Sequence, residues 1–116
     1  MSKQEPYQTR IDILQGTLDL LIMETLQWGS QHGHGIATAI RARSGELLRV
    51  ETGSLYPALH RMEKAGWLES EWKLSENRQR ARYYQLTPSG KRHLVDERSN
   101  WELLVEAMTG VLRPAQ

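Results

Sequence analysis

The 116 residues predict a mainly α chain with a small β-hairpin: an α+β domain of three short helices, a two-stranded ribbon and one long closing helix. Three observations predict it. Residues 51–66 put Leu55, Leu59 and Met62 at helical spacing, start on the cap-type residues Thr52, Gly53 and Ser54, and stop at Gly66. Residues 67–72 and 81–86 alternate in the manner of half-buried strands around a polar tip at residues 75–79. Thr87-Pro88 then supplies an N-cap followed by proline at the first helical position, opening a helix that runs to about Gly110.

Taken in order, residues 1–10 are polar, contain Pro6 and show no period, as expected of a loose arm. From Gly16-Thr17 to Trp28, Leu18, Leu21, Ile22 and Leu26 follow helical spacing. Leu14 and Met23 widen the stripe, so this helix is expected to be buried on more than one side. Gly33-His34-Gly35 opens a second helix, with Ile36, Ala37 and Ile40 inward and Arg41 and Arg43 outward, closing at Ser44-Gly45. Leu47, Leu48 and Val50 suggest a very short strand before the third helix. In the last helix Leu94, Trp101 and Met108 stand seven apart, joined by Leu104, Val105, Val111 and Leu112. At ~1.5 Å per residue that helix is roughly 30–35 Å long, more than so small a domain needs for cover. This order describes a winged helix-turn-helix: residues 1–10 an arm, 11–86 the winged domain, 87–112 the long helix and 113–116 a tail.

Composition narrows the function. A chain of this length makes one domain with a small core. The absence of cysteine excludes a disulfide framework and a thiolate metal site. No apolar run approaches a membrane span, and residues 1–6 lack the apolar region of a signal peptide, so a cytoplasmic protein with no membrane partner is expected. The net charge of +1 hides a division. Between Lys73 and His93 the basic residues Lys73, Arg78, Arg80, Arg82, Lys91 and Arg92 face the single acid Glu76. Between Leu94 and Leu112, Asp96, Glu97, Glu102 and Glu106 face only Arg98. A polyanion-seeking segment therefore adjoins an acidic helix.

The third helix carries donors opposite its apolar stripe. Thr52 and Ser54 stand at its N-terminal end, where they serve as caps or meet base edges and phosphates. Tyr56, His60, Arg61 and Lys64 follow along the outer face. Arginine suits guanine and phosphate alike, so Arg61 is open between them, whereas Lys64 is expected on the backbone. At the wing, Asn77, Arg78, Gln79 and Arg80 form the tip, and Arg82 lies one side-chain period beyond Arg80 on the same face. Trp67, Trp72, Tyr83 and Tyr84 are expected to pack the core and sheet, the two adjacent tyrosines facing opposite ways. His32 and His34 have no cysteine or carboxylate pair to complete a metal site. Ser54 has no evident base and no phosphate loop occurs, so neither cofactor, metal nor catalysis is expected.

The run Gly53-Ser-Leu-Tyr-Pro-Ala-Leu59, with Met62-Glu-Lys-Ala-Gly-Trp67 and Arg82-Tyr-Tyr-Gln-Leu-Thr-Pro-Ser-Gly90, resembles the PadR family of bacterial transcriptional regulators. The likeness extends from about Leu14 to Trp101 and includes Gly16-Thr-Leu-Asp-Leu-Leu-Ile22 and His32-Gly-His-Gly-Ile36. His34 stands where most relatives carry tyrosine. The chain resembles the short branch with one C-terminal helix. The resemblance implies that Tyr56 and Pro57 belong to the recognition-helix signature. It also implies a homodimer on a pseudo-palindromic operator of double-stranded DNA, acting as a repressor. The dimer face would comprise Leu14, Leu18, Leu94, Trp101, Leu104, Val105 and Met108. In some relatives this interface opens into a pocket for flat aromatic molecules, which implies a small aromatic effector against Trp101, Val105 and Met108. Trp101 is thus open between dimer packing and ligand contact. The competing expectation is a winged-helix module that binds another protein and no DNA; the almost purely basic wing weighs against it.

Overall fold

The computed structural model describes residues 15–113, so the expected arm, Leu14 and most of the tail lie outside the described residues. Its elements are α1 (Gln15–Leu26), β1 (Gln31–His32), α2 (Gly33–Arg43), α3 (Thr52–Lys64), β2 (Leu68–Leu74), β3 (Arg80–Leu86) and α4 (Pro88–Leu112). Four helices and one small antiparallel sheet of order β1-β3-β2 make a winged helix-turn-helix followed by a long helix. None of the described helices is long and apolar enough to cross a membrane.

The core lies where α1, α2 and α3 converge under the base of the hairpin. Leu18, Ile22, Met23 and Leu26 from α1 meet Ile36 and Ile40 from α2, and Leu55, Ala58, Leu59 and Met62 from α3. Leu68, Tyr84, Leu86 and Leu94 close it from the sheet and α4. Burial of Met23 beside the Leu18–Ile22–Leu26 stripe confirms that α1 is covered on more than one side. Each fully buried aliphatic stabilises the fold by about 1.5–3 kcal/mol relative to exposure, which is how helices this short hold together.

The short strand expected at Leu47, Leu48 and Val50 does not form; that segment is irregular. Ser44 Oγ accepts from the Leu48 backbone N–H at 2.9 Å, so no ladder is needed there. The third strand is Gln31–His32 instead, which pairs antiparallel with Tyr83 and Tyr84 of β3.

In the β2–β3 register, Leu68 faces Leu86, Trp72 faces Arg82, and Leu74 faces Arg80. Strand alternation puts Leu68, Ser70, Trp72 and Leu74 on one face with Arg80, Arg82, Tyr84 and Leu86. That face covers the core at its base and runs past it at its tip. Hence Leu68 is buried, whereas Trp72 is 56% exposed rather than packed as expected.

Thr87 caps α4, accepting from the Gly90 N–H at 2.9 Å while its own hydroxyl donates to the Gly66 carbonyl at 2.6 Å. A Cβ at Gly90 would lie 2.0 Å from the Trp67 carbonyl oxygen, so only glycine lets α4 start this close to the sheet. Stacking of Trp67 on His93, centroids 3.7 Å apart, extends the same docking. From Ser99 onward every described residue of α4 is exposed.

Candidate nucleic-acid interface

The face built by α3 and the wing holds the expected nucleic-acid residues, and its geometry follows from what lies beneath it. Leu55, Ala58, Leu59 and Met62 fix α3 to the core, leaving Thr52, Ser54, Tyr56, Pro57, His60 and Lys64 exposed on the other side. Thr52 and Ser54 are not caps. Helix α3 begins at Thr52 after Glu51, whose side chain makes no capping bond; the Ser54 N–H turns back to the Glu51 carbonyl at 3.0 Å, which leaves the Thr52 and Gly53 N–H groups without a protein acceptor among the described residues. The positive end of the helix dipole is thereby open to an anion. Pro57 lies in the second turn rather than the first. The Gly53 carbonyl therefore lacks its helical donor, on a face where water can supply one.

Tyr56, 46% exposed, lies across the start of α2. A Cβ at Gly33 would come within 2.6 Å of its hydroxyl oxygen and 2.8 Å of its ring. Gly33 thus lets the ring rest on backbone. His32 Nδ1 accepts from the Gly35 N–H at 3.0 Å and caps α2. His34 beside it is exposed. Among the described residues, no group of three or more histidine, cysteine or acidic side chains could hold a metal.

The wing tip closes through Arg78 N–H to the Ser75 carbonyl at 2.9 Å and Ser75 N–H to the Gln79 carbonyl at 2.8 Å. Arg78 takes φ 62°, a left-handed conformation that costs a non-glycine residue about 1–2 kcal/mol. The guanidinium of Arg80 sits 5.0 Å above the Trp72 ring. Trp72, Arg80, Tyr56 and His34 line one cleft between the wing and the helices. Sequence reasoning did not assign Trp72 here, because alternation alone does not tell where a hairpin outruns its core. Tyr84 points inward and Tyr83 outward, where Lys73 stands 4.5 Å over its ring. Burial pushes the Tyr84 hydroxyl above its usual range, opposed by the charge of Arg82.

Two expected DNA-facing arginines have partners within the chain itself. Arg61 is bound to Asp19, Nη1 to Oδ2 at 2.8 Å and Nη2 to Oδ1 at 2.9 Å, and this hydrogen bonding raises its already high pKa against the cost of burial. Arg82 donates from Nε to Ser70 Oγ at 2.8 Å and pairs with Glu63 at 3.2 Å. Asp19 and Glu63 were missed in the sequence. A lone acid inside the apolar run of residues 18–23 was the available signal, since such a charge needs a partner.

The expected dimer face divides. Leu18 and Leu94 are 6% and 4% exposed; they belong to the core of this chain and would leave a second copy almost nothing to touch. Trp101 (42% exposed), Leu104, Val105 and Met108 instead stand in solvent on α4 and line a shallow apolar groove with Leu112. Arg98 anchors the docked half of α4 to α1, reaching Glu24 at 2.6 Å and Gln27 at 3.2 Å.

Comparison with known proteins agrees with this architecture. The family model described as "Transcriptional regulator PadR-like family" matches residues 22–96. A curated relative, "Transcriptional regulator Rv3488" of Mycobacterium tuberculosis, is 42% identical over 62 residues, which span 53% of this chain and 57% of that protein. The structure of a transcriptional regulator from Clostridium thermocellum superposes with a TM-score of 0.79 at 29% identity, covering 88% of this chain and 99% of the other. A PadR family transcriptional regulator from Eggerthella lenta gives 0.75 at 26%, covering 93% and 92%.

Proposed function

Because this chain belongs to the PadR-like family of transcriptional regulators, DNA-binding proteins rather than enzymes, we propose that it is a sequence-specific repressor acting as a homodimer on a pseudo-palindromic operator. The observation that carries this reading is the joint exposure of the polar face of α3, with its open N-terminus, and a wing bearing Arg78 and Arg80. A short helix offering donors beside a cationic ribbon suits a major groove with a phosphate strand or minor groove alongside. The exposed side chains of Trp101, Leu104, Val105 and Met108 support pairing through α4. Pairing would set two copies of α3 about 34 Å apart, one turn of B-DNA. A planar aromatic effector against Trp101, Val105 and Met108 would release the operator by changing that separation.

Selection of duplexes from a random pool by the purified chain tests the reading. Enrichment of a two-fold-related motif, bound with affinity that falls steeply with salt, is expected. Failure to enrich any motif, with salt-indifferent capture of a protein instead, would favour the interaction-module alternative. Quenching of tryptophan fluorescence by planar aromatics, lost in Trp101→Ala, tests the effector. The variant is needed because Trp28, Trp67 and Trp72 also emit. Equal quenching in the variant would remove Trp101 from the effector site.

A further inference from the structure

The face of α3 and the wing carries five arginines and lysines expected to grip DNA: Arg61, Lys64, Arg78, Arg80 and Arg82. They are not equivalent. Among the described residues, Lys64, Arg78 and Arg80 have no carboxylate within ion-pair distance, whereas Arg61 and Arg82 are each held by one. The two pairs share an element. Arg61 leaves α3 toward Asp19 of α1, and Glu63, two positions on, leaves it toward Arg82 of β3. At about 100° per residue these side chains depart on nearly opposite sides of the helix. Helix α3 is braced between α1 and the wing.

We propose that Arg61 and Arg82 are positioning residues that set the tilt of α3 against α1 and the wing, and that the DNA phosphates are met by Lys64, Arg78 and Arg80. Asp19 is only 6% exposed, so its charge depends on the two-pronged contact with Arg61. Moving Arg61 onto a phosphate would strand that carboxylate. One N–H on each terminal nitrogen of its fork is already given to Asp19. Arg82 is more exposed, yet it meets both Glu63 oxygens and Ser70, and Ser70 Oγ in turn donates to Glu63 at 2.7 Å. A guanidinium balanced by its own carboxylate releases no counterion when DNA arrives, so neither pair contributes to the salt dependence. Both pairs do fix which side chains of α3 meet base edges. Loosening either should erode discrimination between sequences before it erodes grip.

The assignment rests on the DNA-binding reading, and the test separates the two. Affinity of the full chain for a random-sequence duplex and for a selected duplex is measured across a salt series. Lys64→Gln and Arg80→Gln should each make the log–log slope shallower by about 0.9 per protomer bound. Glu63→Gln with Arg82→Gln, and Asp19→Asn with Arg61→Gln, should each keep the wild-type slope while selected-over-random preference falls about tenfold or more. Neither double variant leaves an unpaired charge, so both keep the test alive if Arg61→Gln or Arg82→Gln alone does not fold; a thermal melt verifies folding. Asp19→Asn alone frees Arg61 and should steepen the slope. A slope in either double variant as shallow as in Lys64→Gln would overturn the assignment, as would an unchanged sequence preference. Absence of wild-type DNA binding at low salt would overturn the functional reading itself.

Discussion

Helix α3 and the second half of α4 are both amphipathic, and they end in opposite situations. The apolar side of α3 is sealed, with Leu55, Ala58, Leu59 and Met62 all at most 2% exposed, so its polar side is what the molecule offers. Beyond Ser99, α4 keeps Trp101, Leu104, Val105 and Met108 in solvent. The same periodicity thus yields two kinds of surface. The difference comes from what lies underneath: α3 sits over a core of three helices, whereas α4 runs past the end of that core. A sealed helix can be read by a polar ligand, and an unsealed one calls for an apolar partner.

The contrast can be broken most forcefully at α4. Trp101→Glu combined with Val105→Glu should give a monomer in sedimentation and weaken operator binding by on the order of 100-fold or more, because bivalency is lost. Its melting temperature, measured at protein concentrations below dimer formation, should match that of the unaltered chain, since both side chains already face solvent within the protomer. Gly90→Ala strikes the docked half instead. Its Cβ would meet the Trp67 carbonyl oxygen at 2.0 Å, and a loss of about 2 kcal/mol, roughly 10 °C in melting temperature, is expected. Thr87→Ala removes the cap of the same half and should cost about 1 kcal/mol by denaturant titration. Arg78→Gly has the smallest effect on the fold. It relieves the left-handed φ of 62°, so stability should hold or rise by a few tenths of a kcal/mol. The salt slope of DNA binding should nonetheless become shallower by about 0.9.

Much of this was legible in the chain, for physical reasons that also mark where legibility ended. The four helices, the hairpin and the Thr87 cap are local patterns of period or cap chemistry, and the structure has them. Strand β1 was not legible: two residues carry no period, and Gln31–His32 is a strand only because β3 has a free edge beside it. The segment at Leu47–Val50 had the composition of a strand, yet its Leu48 N–H is taken by Ser44 Oγ rather than by a ladder. Arg61 and Arg82 read as surface cations because their partners, Asp19 and Glu63, lie 42 and 19 residues away in sequence. Leu18 and Leu94 had the right periodicity for a partner's face, yet in α1 and the docked half of α4 that periodicity serves the chain's own core. Pattern told which side of a helix is apolar; only packing told what covers it.

The division of labour between α3 and α4 is tested most directly by the spacing of half-sites. Duplexes carrying the selected half-site twice, with centres about 10 base pairs apart or about 15, present the same sequences on the same or on opposite faces of the DNA. The unaltered chain should bind the in-phase duplex about 100-fold more tightly, and the Trp101→Glu, Val105→Glu variant should bind both alike. Equal affinity of the unaltered chain for the two spacings would contradict the account, because α4 would then not fix the separation of the two recognition helices.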